Sequence, residues 1–158
     1  MIFKQTTWPE DYQIMVDMCS KWWPDSFFYK NFGIPFKVNR EFFDTVVEAG
    51  VAVYTIGYID NEPASCFFAI IQDYMFNPEH KMLGEIVWCI DEKFRGYENL
   101  TKLLDEIDRQ ATQSGCTIQS LAVSCAKEYD NLHGILNKRG FIDIDHCFMK
   151  KLKGEEDE

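Results

Sequence analysis

Apolar positions along the 158-residue chain switch between helical and strand spacing, and the switches mark its elements. Residues 2–6 read as a short strand. Thr7-Trp8-Pro9-Glu10 has the form of a capping box, with Thr at the N-cap, Glu three positions on and Pro in the first turn. Met15, Met18, Cys19 and Trp22 follow at helical spacing and predict a helix that buries one face and ends at Pro24. Residues 23–38, with Pro24, Gly33 and Pro35, read as a connection. Asn39 caps a second helix, in which Phe43, Val46 and Val47 face inward and Gly50 closes the element.

Beyond Gly50 the period shortens to two. Residues 51–59 form a strand, Asp60-Asn61-Glu62-Pro63 a tight turn, and residues 64–71 the returning strand of a hairpin. Asn77-Pro78-Glu79-His80 reads as a second turn before a strand over 83–90. Leu100, Leu103, Leu104, Ile107 and Ala111 then share one face of a helix ending at Gly115. A strand over 118–123 follows, and Leu132, Ile135 and Leu136 mark a helix ending at Gly140. Residues 141–152 alternate like a strand, and residues 153–158 form an acidic tail expected to fray. The order β-α-α-β-β-β-α-β-α-β, without repeat or linker, predicts one α+β domain over 1–152. Its central sheet is mixed and flanked by helices. The unit over 83–123 should set two strands parallel through a right-handed crossover.

Charge narrows the partners. Asp and Glu number 26 against 16 Lys and Arg, a formal net charge of −10. That field opposes nucleic acid and anionic membranes and favours amines or basic proteins. A site for a polyanionic cofactor would need its own local donors. The six cysteines include no C-x-x-C pair and sit mostly in apolar periodic segments, which reads as buried reduced thiols without a disulfide framework. His80, His133 and His146 lack ligand spacing, so no metal site is expected. The first residues lack the apolar core of a signal peptide and no run approaches a membrane span, so a cytoplasmic location is expected.

Residues 86–104 carry the sharpest chemical signal: an apolar strand, a charged turn, then Arg95-Gly96 opening an amphipathic helix. A helix start fed by a strand presents unpaired N–H donors at the positive end of the dipole, a ready anion site. With Lys138-Arg139-Gly140-Phe141 after the last helix, and with the order of elements, this segment resembles the GNAT superfamily of acyl-CoA-dependent N-acetyltransferases over residues 2–152. The resemblance implies that backbone groups of Trp88, Cys89 and Ile90 pair with the pantetheine arm of acetyl-CoA as an added strand. It implies that the amides of Arg95, Gly96, Tyr97, Glu98, Asn99 and Leu100, with the Thr101 hydroxyl, cradle the pyrophosphate.

The family's loop reads Arg-Gly-x-Gly-x-Gly/Ala, and here Glu98 and Leu100 replace its second and third small residues. Leu100 fits the core face of the helix. Glu98 leaves two readings open: its carboxylate fills the phosphate donors, or it turns to solvent and leaves them free.

The family's chemistry is attack of an amine on a thioester carbonyl, with a carboxylate as base. Glu85, at the start of the central strand, is the base the resemblance implies, though a strand-start Glu is also an ordinary surface position. Leu136 stands where the family's thiolate-protonating tyrosine is common, and Tyr129, earlier in the chain, is the available substitute. Cys125 has no His or basic neighbour in sequence and reads as a structural thiol.

Seven of the fifteen residues from 22 to 36 are aromatic. Trp22 continues a core face. Trp23, Phe27, Phe28, Tyr29 and Phe32 have three readings: fold core, acceptor pocket, or a protein interface. Two functions follow from the resemblance. One is an acyltransferase acting on a primary amine of a small molecule or protein. The other is a coenzyme-free GNAT-fold binding or structural protein using the 22–36 segment as its contact, like degenerate relatives in phage genomes, where some are virion parts. A homodimer is common in the family.

Overall fold

The computed structural model describes residues 1–123, 129–144 and 149–150, with side chains of 129–131 left aside. The chain divides into two compact units, Met1–Trp23 with Phe36–Ala122, and Pro24–Pro35 with Val123–Glu158. The first holds a five-stranded sheet whose spatial order follows the chain. Its strands are β1 (Ile2–Lys4), β2 (Ala52–Ile59), β3 (Glu62–Tyr74), β4 (Asn77–Ile90) and β5 (Ile118–Ser120). The first four pair antiparallel, and β5 joins β4 in parallel as the sequence predicts. Helices α1 (Trp8–Trp22), α3 (Arg40–Glu48) and α4 (Tyr97–Gln113) complete the unit.

The β2–β3 hairpin turns on Asp60 and Asn61, both at positive φ (51° and 63°). These are residues that tolerate the left-handed region a tight hairpin requires. The next turn falls elsewhere than expected: residues 77–80 belong to β4, and the chain reverses at Met75 and Phe76. Asp73 opposes Lys81 and Tyr74 opposes Asn77, so residues 78–80 face no partner. The N–H that Pro78 lacks is therefore missing where no ladder bond is made.

One face of the sheet packs on α1. Tyr12, Met15, Met18 and Cys19 meet Ile56, Cys66 and Phe68, and Phe43, Val46 and Val47 of α3 close around them. The rings of Trp8, Phe43 and Tyr54 lie 5.4, 4.9 and 6.1 Å from that of Phe68. On the opposite face Phe67, Ala69 and Leu83 are fully buried, and α4, with Leu103, Leu104 and Ile107 also fully buried, packs against β4.

The helix starts divide. Asn39 caps α3 as predicted, accepting the Phe42 N–H at 3.3 Å. Thr7 makes no side-chain cap on α1. There the buried Asp11 reaches back instead, accepting the Thr6 N–H at 2.9 Å and the Thr6 hydroxyl at 2.8 Å. The carboxylate thus anchors the residue that precedes the cap, and the Thr7 carbonyl rather than its hydroxyl takes the Glu10 N–H.

In the second unit the expected connection contains a helix, α2 (Phe27–Phe32). Ser26 Oγ accepts the Tyr29 N–H at 3.2 Å, and Gly33 at φ 63° ends it with its N–H turned to the carbonyls of Phe28 and Tyr29. Six residues are too few for a periodic signal, so local capping sets this element. Helix α5 (Tyr129–Lys138) forms as predicted, but residues 141–144 and 149–150 adopt no strand. The rest of the strand expected over 141–152, and the tail at 153–158, lie outside the described residues. No described helix is long and apolar enough to cross a membrane.

Candidate functional site

Parallel pairing of β5 with β4 stops after three residues, at Gly84 opposite Ser120. The cause lies in β4. Phe68 opposes Val87 and Ala69 opposes Glu85, so Ile86 is an unopposed extra residue, a β-bulge. The insertion shifts the alternation by one and brings Glu85 and Trp88 to the same face. Both reach the segment just past β5. The Ala122 N–H donates to Glu85 Oε2 at 2.9 Å, and the Trp88 indole N–H donates to the Ala122 carbonyl at 2.8 Å. Side chains thus satisfy both backbone groups of Ala122, and beyond Gly84 no ladder pairing joins β4 to the chain beside it among the described residues.

The Asp91 N–H donates to the Ala64 carbonyl at 2.9 Å, which fixes the alternation along this part of β4. Backbone groups of Cys89 face Cys66, while those of Trp88 and Ile90 face the open side. Burial raises the Glu85 carboxyl above the ordinary glutamate value, partly offset by the Ala122 N–H.

Past β4 the loop is tied at several points. Asp91 Oδ1 accepts the Lys93 N–H at 3.1 Å, and Asp91 Oδ2 pairs with Lys21 at 2.9 Å. The Arg95 Nε–H donates to the Ile90 carbonyl at 3.3 Å, and the Asn99 amide donates to the Phe94 carbonyl at 2.8 Å. Gly96, extended at φ 160°, precedes α4 and brings no capping side chain, and a Cβ there would meet no atom within 4 Å. The first bond within the helix runs from the Leu100 N–H to the Gly96 carbonyl at 3.0 Å. The N–H groups of Tyr97, Glu98 and Asn99 come before it, at the positive end of the dipole.

Glu98 does not fill this position. Its carboxylate pairs with Lys102 Nζ at 2.6 Å, one turn along the helix, and its side chain is 80% exposed. The hydrogen bond from Lys102 holds its carboxyl below the usual glutamate value. Of the two readings left open by the sequence, the geometry is that of a side chain turned away. Tyr97 is exposed, Leu100 is buried in the helix's core face and Thr101 is half-buried in the first turn. Tyr129 opens α5 in the second unit, and its side chain lies outside the described residues.

The aromatic stretch separates into two sets. Trp23 packs on Trp22 at 5.7 Å and on Phe36 at 5.6 Å, within the first unit. In the second, Phe27 meets Phe28 and Phe32 edge-on at 6.0 and 5.4 Å, with Phe27 and Tyr29 exposed. Phe28, Phe32, Ile34, Met149 and Lys150 line an apolar pocket of about 310 Å³.

The fold also converges residues that the sequence leaves scattered. The sulfurs of Cys19, Cys66 and Cys89 all lie within 4.8 Å of one another. No short spacing motif announces this group. Its one sequence signal is that each cysteine falls on an inward position of its own element.

No family model and no curated protein matches the chain. Solved structures do match, and they share its fold. A protein described as a predicted acetyltransferase from Clostridium acetobutylicum, solved with acetyl-CoA, superposes with a TM-score of 0.70 at 14% identity, covering 95% of each chain. The chain has the GNAT fold. Glucosamine-6-phosphate N-acetyltransferase from Arabidopsis thaliana shares it, with a TM-score of 0.68 and 14% identity over 97% of this chain and all of that one. So does an aminoglycoside acetyltransferase from an uncultured soil metagenomic sample, at 0.68 and 12% identity over 96% of each. At these identities the likeness to other GNAT-fold proteins is one of fold, and the site has to be read from its own residues.

Proposed function

We propose that this GNAT-fold chain is an acyl-CoA-dependent N-acyltransferase that acts on a primary amine. The observation that carries the reading is the end of the β4–β5 ladder at Gly84, which leaves the last part of β4 unpaired on that side as it leads into the uncapped start of α4, with Glu98 turned outward. Backbone groups of Trp88 and Ile90 would pair with the extended amide arm of the coenzyme. The amides at the start of α4, preceded by Arg95 and Gly96, would hold its pyrophosphate, a role helix N-termini fill by dipole and free N–H groups together. The thioester supplied by acyl-CoA carries the transferable acyl group.

Glu85 would take the proton of the attacking ammonium, directly or through water. Its pKa, raised by burial, makes it a better base than an ordinary exposed glutamate. Tyr129 is the proposed acid for the departing thiolate. The net charge of −10 favours approach of a cationic acceptor. Titration of acetyl-CoA into the full-length protein tests the reading: micromolar binding with a rise in melting temperature supports it. Absence of binding at millimolar ligand refutes it.

One observation favours a second reading, a coenzyme-free binding protein. The Trp88 indole bridges β4 to Ala122 across the opening an extended ligand would use. The same titration decides between the two.

A further inference from the structure

Cys19 comes from the last turns of α1, Cys66 from β3 and Cys89 from β4, and the two strand residues are direct partners across the ladder. Cys19 is 7% exposed and Cys66 fully buried. A buried thiol ordinarily packs as a small hydrophobe against carbon. Here three turn their sulfurs toward one another, with Cys66 and Cys89 Sγ 3.2 Å apart. Neutral thiols gain little from this, because S–H is a weak donor and sulfur a weak acceptor.

A metal at the centre accounts for the convergence. A metal–sulfur bond of about 2.3 Å sets sulfurs roughly 3.8–4.0 Å apart in tetrahedral or trigonal geometry. The separations in the cluster, from 3.2 Å to no more than 4.8 Å, bracket that spacing, so small side-chain adjustments suffice. A second feature points the same way. Trp22 Nε1 is buried without a hydrogen-bond partner, and its indole neighbours the Cys19 sulfur. An indole N–H can only donate, and a metal-bound thiolate is a far better acceptor than a thiol.

We propose that Cys19, Cys66 and Cys89 form a three-sulfur site for a thiophilic closed-shell metal ion of the Zn²⁺ or Cu⁺ class. Sulfur ligands with no oxygen or imidazole partner among the described residues suit soft ions rather than Mg²⁺ or Ca²⁺. For a divalent ion the step is M²⁺ + 3 RSH → [M(SR)₃]⁻ + 3 H⁺, the protons passing to solvent with no change of oxidation state. The site joins α1 to the strand that carries Trp88 and Ile90, so it would brace that strand from behind. It stands independently of the proposed acyl transfer.

The test uses full-length, chelator-stripped, reduced protein. Zn²⁺ and, anaerobically, Cu⁺ are titrated separately in competition with a chromogenic chelator. One equivalent of at least one ion should bind, raise the melting temperature and release protons. Replacing Cys116, Cys125 and Cys147 by serine should leave that equivalent in place, whereas Cys19→Ala should weaken it at least a hundredfold. Binding of Zn²⁺ alone or Cu⁺ alone selects between the two ions. Because core substitutions can unfold the chain, X-ray absorption of the loaded wild-type protein is the deciding measurement. Three sulfur neighbours at about 2.3 Å support the site. A nitrogen- or oxygen-dominated shell, no stoichiometric binding of either ion, or binding kept by a folded Cys19→Ala variant overturns it.

Discussion

Replacing Glu85 by glutamine separates its structural work from its proposed chemistry. The glutamine oxygen can still accept the Ala122 N–H that the carboxylate takes at 2.9 Å, so the tie between β4 and the segment past β5 survives. What disappears is the charge. Burial raises the folded-state pKa of Glu85 above its unfolded value, so the ionised carboxylate costs stability. The sign is that of a raised acid: its favourable contribution is full below the unfolded pKa and is lost as pH rises through the folded one. Glu85→Gln is therefore expected to be at least as stable as the parent at pH 7, with the difference vanishing below about pH 4. Each unit of pKa shift appears as about 1.4 kcal/mol in that difference, so urea unfolding across this range reads the shift directly. Glu85→Ala, which removes the acceptor as well, should lie about 1 kcal/mol below glutamine. In acetyl transfer the parent's rate should fall as pH drops through the raised pKa, and glutamine should flatten that limb and lower kcat by about 10²–10⁴. A glutamine variant clearly less stable than the parent at pH 7 would refute the burial argument. One with unchanged kcat and pH profile would refute the base.

Three further outcomes are expected. Glu98→Gln should change acetyl-CoA affinity by less than about fivefold, since the carboxylate leans on Lys102 rather than on the helix start; a larger gain by calorimetry would mean it competes for the site. Phe68→Ala should cost about 3–5 kcal/mol in denaturant unfolding, because a fully buried ring is removed from among Trp8, Phe43 and Tyr54. Gly33→Ala should cost about 1–2 kcal/mol, with Gly33→Asn recovering part of it in the same melts. The strain is in the backbone alone, as φ is 63° and a Cβ there meets nothing within 4 Å.

Elements with many periods are legible in the sequence. Helix α4 shows its whole buried face from Leu100 to Ala111, Asn39 announces α3, and the Asp60–Asn61 hairpin reads from turn chemistry alone. What escapes a linear reading is decided by competition or by convergence. Asp11 ties down Thr6 ahead of α1 while the Thr7 hydroxyl caps nothing, and Pro78 is admitted to a strand because nothing opposes it. The bulge at Ile86 is one residue without a distinctive type, yet it aligns Glu85 with Trp88. The direction of Glu98 depended on whether Lys102 was the nearer partner, and the cysteine cluster required three elements to be folded together first.

The pairing pattern also sets an order of assembly. Strands β2, β3 and β4 meet through tight turns, so their ladders close small loops at little entropic cost. Joining β5 to β4 has to wait for the chain to pass through all of α4, and it gains only three paired residues in return. Contact-order arguments place such a junction late in folding. With so short a ladder it is also among the first parts of the sheet to fray. The meander and α1 can stand as a nucleus before the edge of β4 acquires its neighbour. The edge of β4 on which the proposed chemistry depends thus adjoins a late-made and soft seam of the sheet, and a chain can be largely folded before it is competent.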